Sequence, residues 1–188
     1  MSVLKPVTPQ TANPKSKELL AAVEQRTGRS LNMMRIVANS PAILGAYLGF
    51  NHAFDEARMS PKLRALITAA VAELNGCDYT LSTAMVLGPR AGATLDELNA
   101  ARQTQATDAK TATALQFTAE VVQNRGQLPA DHVEKVLAAG FDDEEIVEII
   151  ALIALNIFRN YLNLVARTDI DLPVVTTDRT LLGKSASR

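Results

Sequence analysis

The sequence predicts an all-α protein, a single domain of about eight helices. Apolar residues recur at helical spacing almost throughout the 188 residues, and strand-like alternation of apolar and polar residues is scarce. The chain is rich in alanine and leucine, whereas aromatic residues make up only 4% of it. This length is sufficient for one well-buried domain. We place the helical domain at residues 14–173, between an N-terminal arm (1–13) and a C-terminal tail (174–188).

Prolines and a glycine delimit the first three helices. The arm before them is polar and contains Pro6 and Pro9, so we expect it to lie on the surface or on a neighbouring subunit. Pro14 suits the first turn of a helix, and Gly28 suits its C-terminal stop. Pro41 opens a longer helix in the same way. The predicted helices cover residues 14–27, 30–38 and 41–57.

The next two helices have clear boundaries. Ser60 is an N-cap, and Pro61 follows it at the first helical position. Asn75-Gly76 ends this helix, because both residues tolerate the left-handed conformation. Asp78 caps a second helix that extends to about residue 87, where Gly88-Pro89 breaks it. The first of these helices carries an apolar stripe formed by Leu63, Leu66, Ile67, Ala70 and Leu74.

Four further helices are predicted in the C-terminal half, over residues 94–103, 108–124, 129–139 and 142–167. Thr94 and Glu97 form a capping box for the first of them. The last contains a run, 149–155, that is apolar on every side. Such a helix should be buried all round, either in the core or at an oligomer seam, and the run is too short to span a bilayer. We expect the polar tail after Pro173 to be an arm or disordered.

The composition excludes several classes of function. One cysteine cannot form an internal disulfide or a cysteine-rich zinc site, and the two histidines lie in no metal-binding pair, so we predict no metal. A net charge of −1 argues against nucleic-acid binding. No phosphate loop is present, which argues against a nucleotide cofactor, and we predict none. With no signal-peptide pattern and no long apolar segment, we expect a cytoplasmic protein without a membrane partner.

Cys77 is the first candidate for chemistry. It lies at a helix start, where free backbone N–H groups lower the pKa of a thiol and favour the reactive thiolate. The alternative is a buried cysteine that serves only as a small core residue. No base accompanies it, because Thr80 and Ala84 stand one and two helical turns further on.

Two other residues are candidates for a proton relay. Glu73 precedes Cys77 by about one helical turn, although a surface carboxylate is the alternative interpretation. His52 could face a cleft, although a hydrogen-bonded structural histidine is the more common outcome. A cofactorless acid/base enzyme that uses either residue is therefore a further hypothesis.

Two runs in the middle of the chain carry a resemblance to a known family. They are Met59-Ser60-Pro61-Lys62-Leu63-Arg64-Ala65-Leu66 and Glu73-Leu74-Asn75-Gly76-Cys77-Asp78-Tyr79-Thr80-Leu81-Ser82-Thr83-Ala84. They resemble the core of the AhpD-like alkylhydroperoxidase and carboxymuconolactone decarboxylase superfamily, in its longer peroxidase-related branch. Three other stretches agree with this, so that the resemblance covers roughly residues 14–173. It implies an AhpD-like helical bundle.

The resemblance also implies a dithiol site that this chain has lost. The positions of the family's glutamate, second cysteine and histidine are occupied here by Ala65, Thr80 and Ala84, and only Cys77 remains. In the family, the second cysteine attacks peroxide, the first resolves it as a disulfide, and the glutamate and histidine relay protons. A further histidine late in the family pattern is replaced by Leu164.

Two functional hypotheses follow from the resemblance. The first is an antioxidant peroxidase-related oxidoreductase that reduces hydroperoxides with a degenerate, one-cysteine site. An external thiol reductant would then have to resolve the oxidised Cys77. The second is a non-catalytic helical scaffold or small-ligand-binding protein that keeps the fold but not the chemistry. Related proteins form trimers or hexamers, so we also predict a homo-oligomer.

Overall fold

The computed structural model describes residues 1–180, and within them every regular element is helical. The prediction of an all-α fold is therefore confirmed. Nine α-helices occur in this part of the chain. The fifth ends at Leu87, as predicted from Gly88-Pro89, and a 3-10 turn over Gly88–Ala91 follows it. The helices are α1 Pro14–Thr27, α2 Asn32–Val37, α3 Pro41–Ala53, α4 Pro61–Leu74, α5 Asp78–Leu87, α6 Leu95–Arg102, α7 Ala109–Gln123, α8 Ala130–Ala138 and α9 Asp143–Ala166.

Side-chain caps form the predicted starts of α4 and α6. The Ser60 side chain accepts a hydrogen bond from the backbone N–H of Leu63, and Pro61 occupies the first position of α4. Thr94 and Glu97 make both bonds of the capping box on α6. These contacts lie within three residues along the chain, and for that reason the local sequence was sufficient to predict them.

The contacts group the chain into two compact units. Unit 1 comprises Met1–Glu56 and Leu162–Asp171. Its N-terminal segment, predicted as an arm, bonds to its own unit: the N–H of Val3 donates to the carbonyl of Ala166, and the N–H of Val7 to that of Arg35. The apolar core of this unit includes Val23, Met33, Ile36, Val37, Leu44 and Tyr47.

Unit 2 comprises Ala57–Tyr161 and Leu172–Arg188, of which residues 181–188 of the predicted tail lie outside the described residues. Its central element is α4, which packs against α5, α6 and α7. The part of α4 from Ala69 to Glu73 is buried on all sides, a wider face than the predicted apolar stripe. The last helical turn of α4 therefore leads directly from the core of the unit to Cys77.

Helix α9 is buried on one side only by the described residues, so of the two predicted alternatives the core alone does not bury it all round. Ile149, Leu152 and Ile153 are buried in the core, whereas Ile150 is 45% exposed. By length and hydropathy α9 could cross a membrane, but the helix is half-buried in the protein, as a core helix of a soluble protein also is. Its exposed side is an apolar stripe at helical spacing, formed by Val147, Ile150, Phe158 and Tyr161.

Candidate functional site around Cys77

Cys77 lies in the short turn between α4 and α5. Gly76 adopts a positive φ of 65° there, as the prediction of a left-handed residue at this helix end requires. The N–H of Cys77 donates to the carbonyl of Ala72 at 2.9 Å, and its own carbonyl accepts from the N–H of Leu81 at 3.0 Å. Cys77 is thus the N-cap residue of α5, held to both helices through its backbone. The prediction that Asp78 caps this helix is wrong, because Asp78 is its first residue and its carboxylate bonds to Thr177 instead.

The thiol is buried: Cys77 is only 1% exposed. Its Sγ donates a hydrogen bond to Oγ1 of Thr80 at 3.3 Å. The family position of the second cysteine is therefore adjacent to Cys77, but a hydroxyl group occupies it. Ala84, at the family position of the histidine, is buried on the same helix, and Ala65, at that of the glutamate, lies half-buried on α4. None of these three side chains is a base.

Burial raises the pKa of the Cys77 thiol. The hydroxyl of Thr80 and the backbone N–H groups of Thr80 and Tyr79 act in the opposite direction, and the negative charge of Asp78 raises the pKa further. The expectation that the start of α5 would leave the thiol with a lowered pKa is therefore wrong. The helix N-terminus does stabilise the thiolate, but the loss of solvation outweighs it.

The reaction of folded protein with iodoacetamide should reveal this raised pKa. Because the thiolate is the nucleophile, we expect the rate to keep rising with pH beyond about 8.5, the value for an ordinary cysteine. By linkage, folding loses stability as the pH rises above the pKa of the unfolded thiol, where only the unfolded chain has released its proton. The urea-unfolded chain serves as the control, and a plateau below pH 8.5 in the folded protein would contradict the assignment.

Glu73 is a buried carboxylate and not the surface group expected by default. It is 0% exposed in the last turn of α4. One of its oxygens accepts a hydrogen bond from Nε of Arg102 at 2.6 Å, and the other accepts from the backbone N–H of Asp178. Because both of its oxygens are bonded in this way, the carboxylate links α4 to α6 and to the segment around Asp178. This structural role gives no support to its candidate role as a proton relay.

His52, the other candidate for a proton relay, belongs to unit 1. It lies in the last turn of α3, and its Nδ1 is 2.9 Å from a carboxylate oxygen of Asp55. The side chain is 68% exposed. A solvated, locally paired histidine of this kind matches the structural alternative stated above.

A strap formed by residues 174–180 was not anticipated from the sequence. Ser82 on α5 both donates to the carbonyl of Val175 and accepts from its N–H. Asp78 accepts from the N–H and the hydroxyl of Thr177, each at 2.8 Å. Arg102 donates to the carbonyl of Thr176 at 2.9 Å. This part of the predicted tail is therefore held by side chains of α4, α5 and α6.

Two buried asparagines of α9 bond to α4. Nδ2 of Asn156 donates to Oγ1 of Thr68 at 3.2 Å, and Nδ2 of Asn160 donates to the carbonyl of Val71 at 3.1 Å. Val71 adjoins Ala72, whose carbonyl holds the backbone of Cys77. The Asn160 bond therefore attaches α9 to the last part of α4, from which the Cys77 turn begins, and the Asn156 bond attaches α9 to the middle of α4. Among residues 1–180, no group of three histidine, cysteine, aspartate or glutamate side chains could hold a metal ion.

Residues 41–123 match the model of the carboxymuconolactone decarboxylase family. This segment runs from the start of α3 to the end of α7 and includes the Cys77 turn. No curated protein matches the sequence at a significant level.

Solved structures share the fold over nearly the whole chain. The alkylhydroperoxidase AhpD core protein from Ralstonia eutropha JMP134, an uncharacterized peroxidase-related protein, has a TM-score of 0.79 at 14% identity, covering 98% of this chain and 96% of that one. A peroxidase-related protein from Silicibacter sp. TM1040 has a TM-score of 0.74 at 16% identity, covering 97% and 93%. These matches confirm the predicted AhpD-like fold.

A third similar structure is that of a cysteine-to-alanine variant of the debrominase Bmp8 in complex with 2,3,4-tribromopyrrole. It has a TM-score of 0.76 at 20% identity, covering 91% of this chain and 92% of that one. At such identities the likeness establishes the fold alone.

Proposed function

We propose that the chain is a member of the AhpD-like carboxymuconolactone decarboxylase superfamily, and that it is a peroxidase-related oxidoreductase that reduces hydroperoxides through one cysteine, Cys77. The observation that carries the proposal is the position of this thiol. It caps α5, where the N–H groups of Tyr79 and Thr80 stabilise a thiolate, and it is the only thiol of the chain. No other side chain of the family's redox motif is retained.

The proposed reaction has two stages. The Cys77 thiolate attacks the distal oxygen of a hydroperoxide, the O–O bond breaks, and the alcohol leaves as an alkoxide that takes up a proton. The sulfur is thereby oxidised to a sulfenic acid. An external thiol then attacks this sulfur and releases water, and a second external thiol reduces the mixed disulfide, which restores Cys77.

The residues around Cys77 set the rate of the first stage. In the resting state the hydroxyl of Thr80 accepts a hydrogen bond from the thiol. Because a threonine hydroxyl is not a base at neutral pH, this proton must leave to solvent. We therefore expect the activity to be slow compared with that of a site that has its own histidine and glutamate.

The purified protein tests the proposal when it is mixed with cumene hydroperoxide and dithiothreitol. We expect Cys77→Ser to reduce the protein-dependent consumption of peroxide to background, whereas Thr83→Ser, a conservative change on the same helix, should retain it. Equal rates for the wild type and Cys77→Ser would rule out the thiol as the redox group. A parallel assay of bromide release from 2,3,4-tribromopyrrole tests the substrate class of the Bmp8 neighbour.

The burial of Cys77 also favours a second candidate, a non-catalytic scaffold or small-ligand-binding protein. In such a protein the thiol is a core residue with a raised pKa and no base. This candidate predicts that wild type and Cys77→Ser do not differ in either assay, and that both unfold cooperatively on heating.

We further propose that the protein is a homo-oligomer that buries the exposed apolar stripe of α9. The stripe places four large apolar side chains on one side of a helix, a pattern typical of subunit contacts. We expect the mass in solution to be a multiple of 20.2 kDa and Ile150→Glu to lower it. Leu95→Glu, at an exposed position of α6, is the control for added charge. A monomeric wild type, or an unchanged mass for Ile150→Glu, would contradict this proposal.

A further inference from the structure

Successive residues of the strap bond to successive positions on α5 and α4, on either side of Cys77 in the chain. Along the strap, Val175 bonds to Ser82, Thr177 to Asp78 and Asp178 to Glu73. The strap therefore runs antiparallel to the α4–α5 chain, from the second turn of α5 to its start and on to the last turn of α4. Cys77 lies between the last two of these anchor points.

The strap is held by hydrogen bonds with side chains of the helices. Most of these bonds are made by the backbone of the strap. Both carboxylate anchors are charged groups that accept N–H bonds, which are stronger than bonds between neutral groups. Apolar contact adds less, because Val174 is exposed and Val175 is half-buried. An extended segment held in this way can detach as a unit while the helices beneath remain folded.

We propose that the strap is a gate over Cys77, and that detachment of residues 174–180 is the event that admits reagents to the thiol. In the closed form Cys77 is 1% exposed. Opening would free Asp78 and Glu73 from their strap bonds and let water reach the start of α5. The proposal concerns access to the thiol and does not depend on which reaction the thiol performs.

The test measures the labelling of Cys77 by an aromatic disulfide reagent, 5,5′-dithiobis(2-nitrobenzoate), in the folded full-length protein. Because the chain has one cysteine, the released chromophore reports this thiol alone. The double variant Val175→Pro/Thr177→Pro removes two strap N–H donors and leaves the helices unchanged. We expect it to react at least about tenfold faster than the wild type, since the loss of one hydrogen bond of about 1.4 kcal/mol already shifts an equilibrium tenfold.

Two further variants make the result specific. Ser82→Ala removes both bonds to Val175 from the helix side and should also accelerate labelling. Thr176→Ala changes an exposed side chain of the same strap without removing a described bond, and it should leave the rate unchanged. Circular dichroism establishes that each variant is folded.

The urea dependence of labelling distinguishes opening of the strap from unfolding of the protein. Local opening exposes little surface, so the logarithm of the wild-type rate should change only slightly with urea at low concentrations. The gate is refuted if the folded proline variant and Ser82→Ala label at the wild-type rate, or if the urea slope of wild-type labelling equals that of global unfolding. A loss of peroxidase activity in Cys77→Ser, or its retention, bears only on the proposed function.

Discussion

Replacing Arg102 with methionine should lower the free energy of unfolding by about 3–5 kcal/mol, because it leaves Glu73 as an unpaired charge inside the protein. Glu73 is fully buried, and the side chain of Arg102 is only 18% exposed. At Nε···O 2.6 Å the guanidinium is the charged partner of this carboxylate. Methionine retains most of the volume of the arginine stem but supplies no charge and no donor. Urea unfolding followed by circular dichroism measures the difference.

Two comparison variants separate this pair from general effects of removing an arginine. Arg90→Met removes an exposed guanidinium from the 3-10 turn and should change stability by less than about 0.5 kcal/mol. Adding Glu73→Leu to Arg102→Met removes the buried charge as well and should recover part of the loss. If Arg102→Met alone lowers the free energy of unfolding by less than about 1 kcal/mol, Arg102 does not compensate the buried charge of Glu73.

Replacing Thr80 with cysteine should create a redox couple that the natural chain lacks. Sγ of Cys77 and Oγ1 of Thr80 are 3.3 Å apart, so a sulfur at the latter position needs only a small movement to reach the S–S bond length of about 2.0 Å. Under mild oxidation with diamide, we expect Thr80→Cys to lose both free thiols as an intramolecular disulfide. Mass spectrometry under non-reducing conditions detects the loss of two hydrogens.

The control for this experiment is Ala84→Cys, one helical turn beyond Thr80 on α5. Two turns of helix separate that position from Cys77, about 10 Å along the axis, so no intramolecular disulfide should form. Combining Thr80→Cys with Ala65→Glu and Ala84→His restores the second cysteine, the glutamate and the histidine of the family's redox motif. We expect this triple variant to reduce cumene hydroperoxide faster than the wild type. If Thr80→Cys keeps two free thiols after oxidation, the described geometry of the turn is wrong.

The sequence predicted most of the fold because the signals that define it are local. The caps at Ser60 and Thr94 and the glycine turn at Gly76 each depend on residues within one helical turn. The burial of α9 could not be predicted in the same way. Its run 149–155 is apolar throughout, so no periodicity indicates which side faces the core, and only the folded chain distinguishes buried Ile149 from exposed Ile150.

The candidate site was predicted in part. The position of Cys77 at a helix start follows from Asn75-Gly76 and Asp78, but the direction of its pKa shift does not, because that depends on how deeply the folded chain buries the thiol. The partners of Glu73 are Arg102 and Asp178, which lie 29 and 105 residues away along the chain. No spacing rule connects residues at such separations, and the strap was therefore missed.

The hydroxyl of Thr80 also determines how long an oxidised form of this protein would last. In a dithiol site, a neighbouring sulfur converts a sulfenic acid to a disulfide at once. Here the neighbour at 3.3 Å is an alcohol, which cannot do so. Once formed, a sulfenic acid on Cys77 would persist until an external thiol arrives, so its lifetime would follow the concentration of thiols in the surroundings. The oxidised form of the chain would then outlast the oxidant itself, which a site with two neighbouring thiols would not allow.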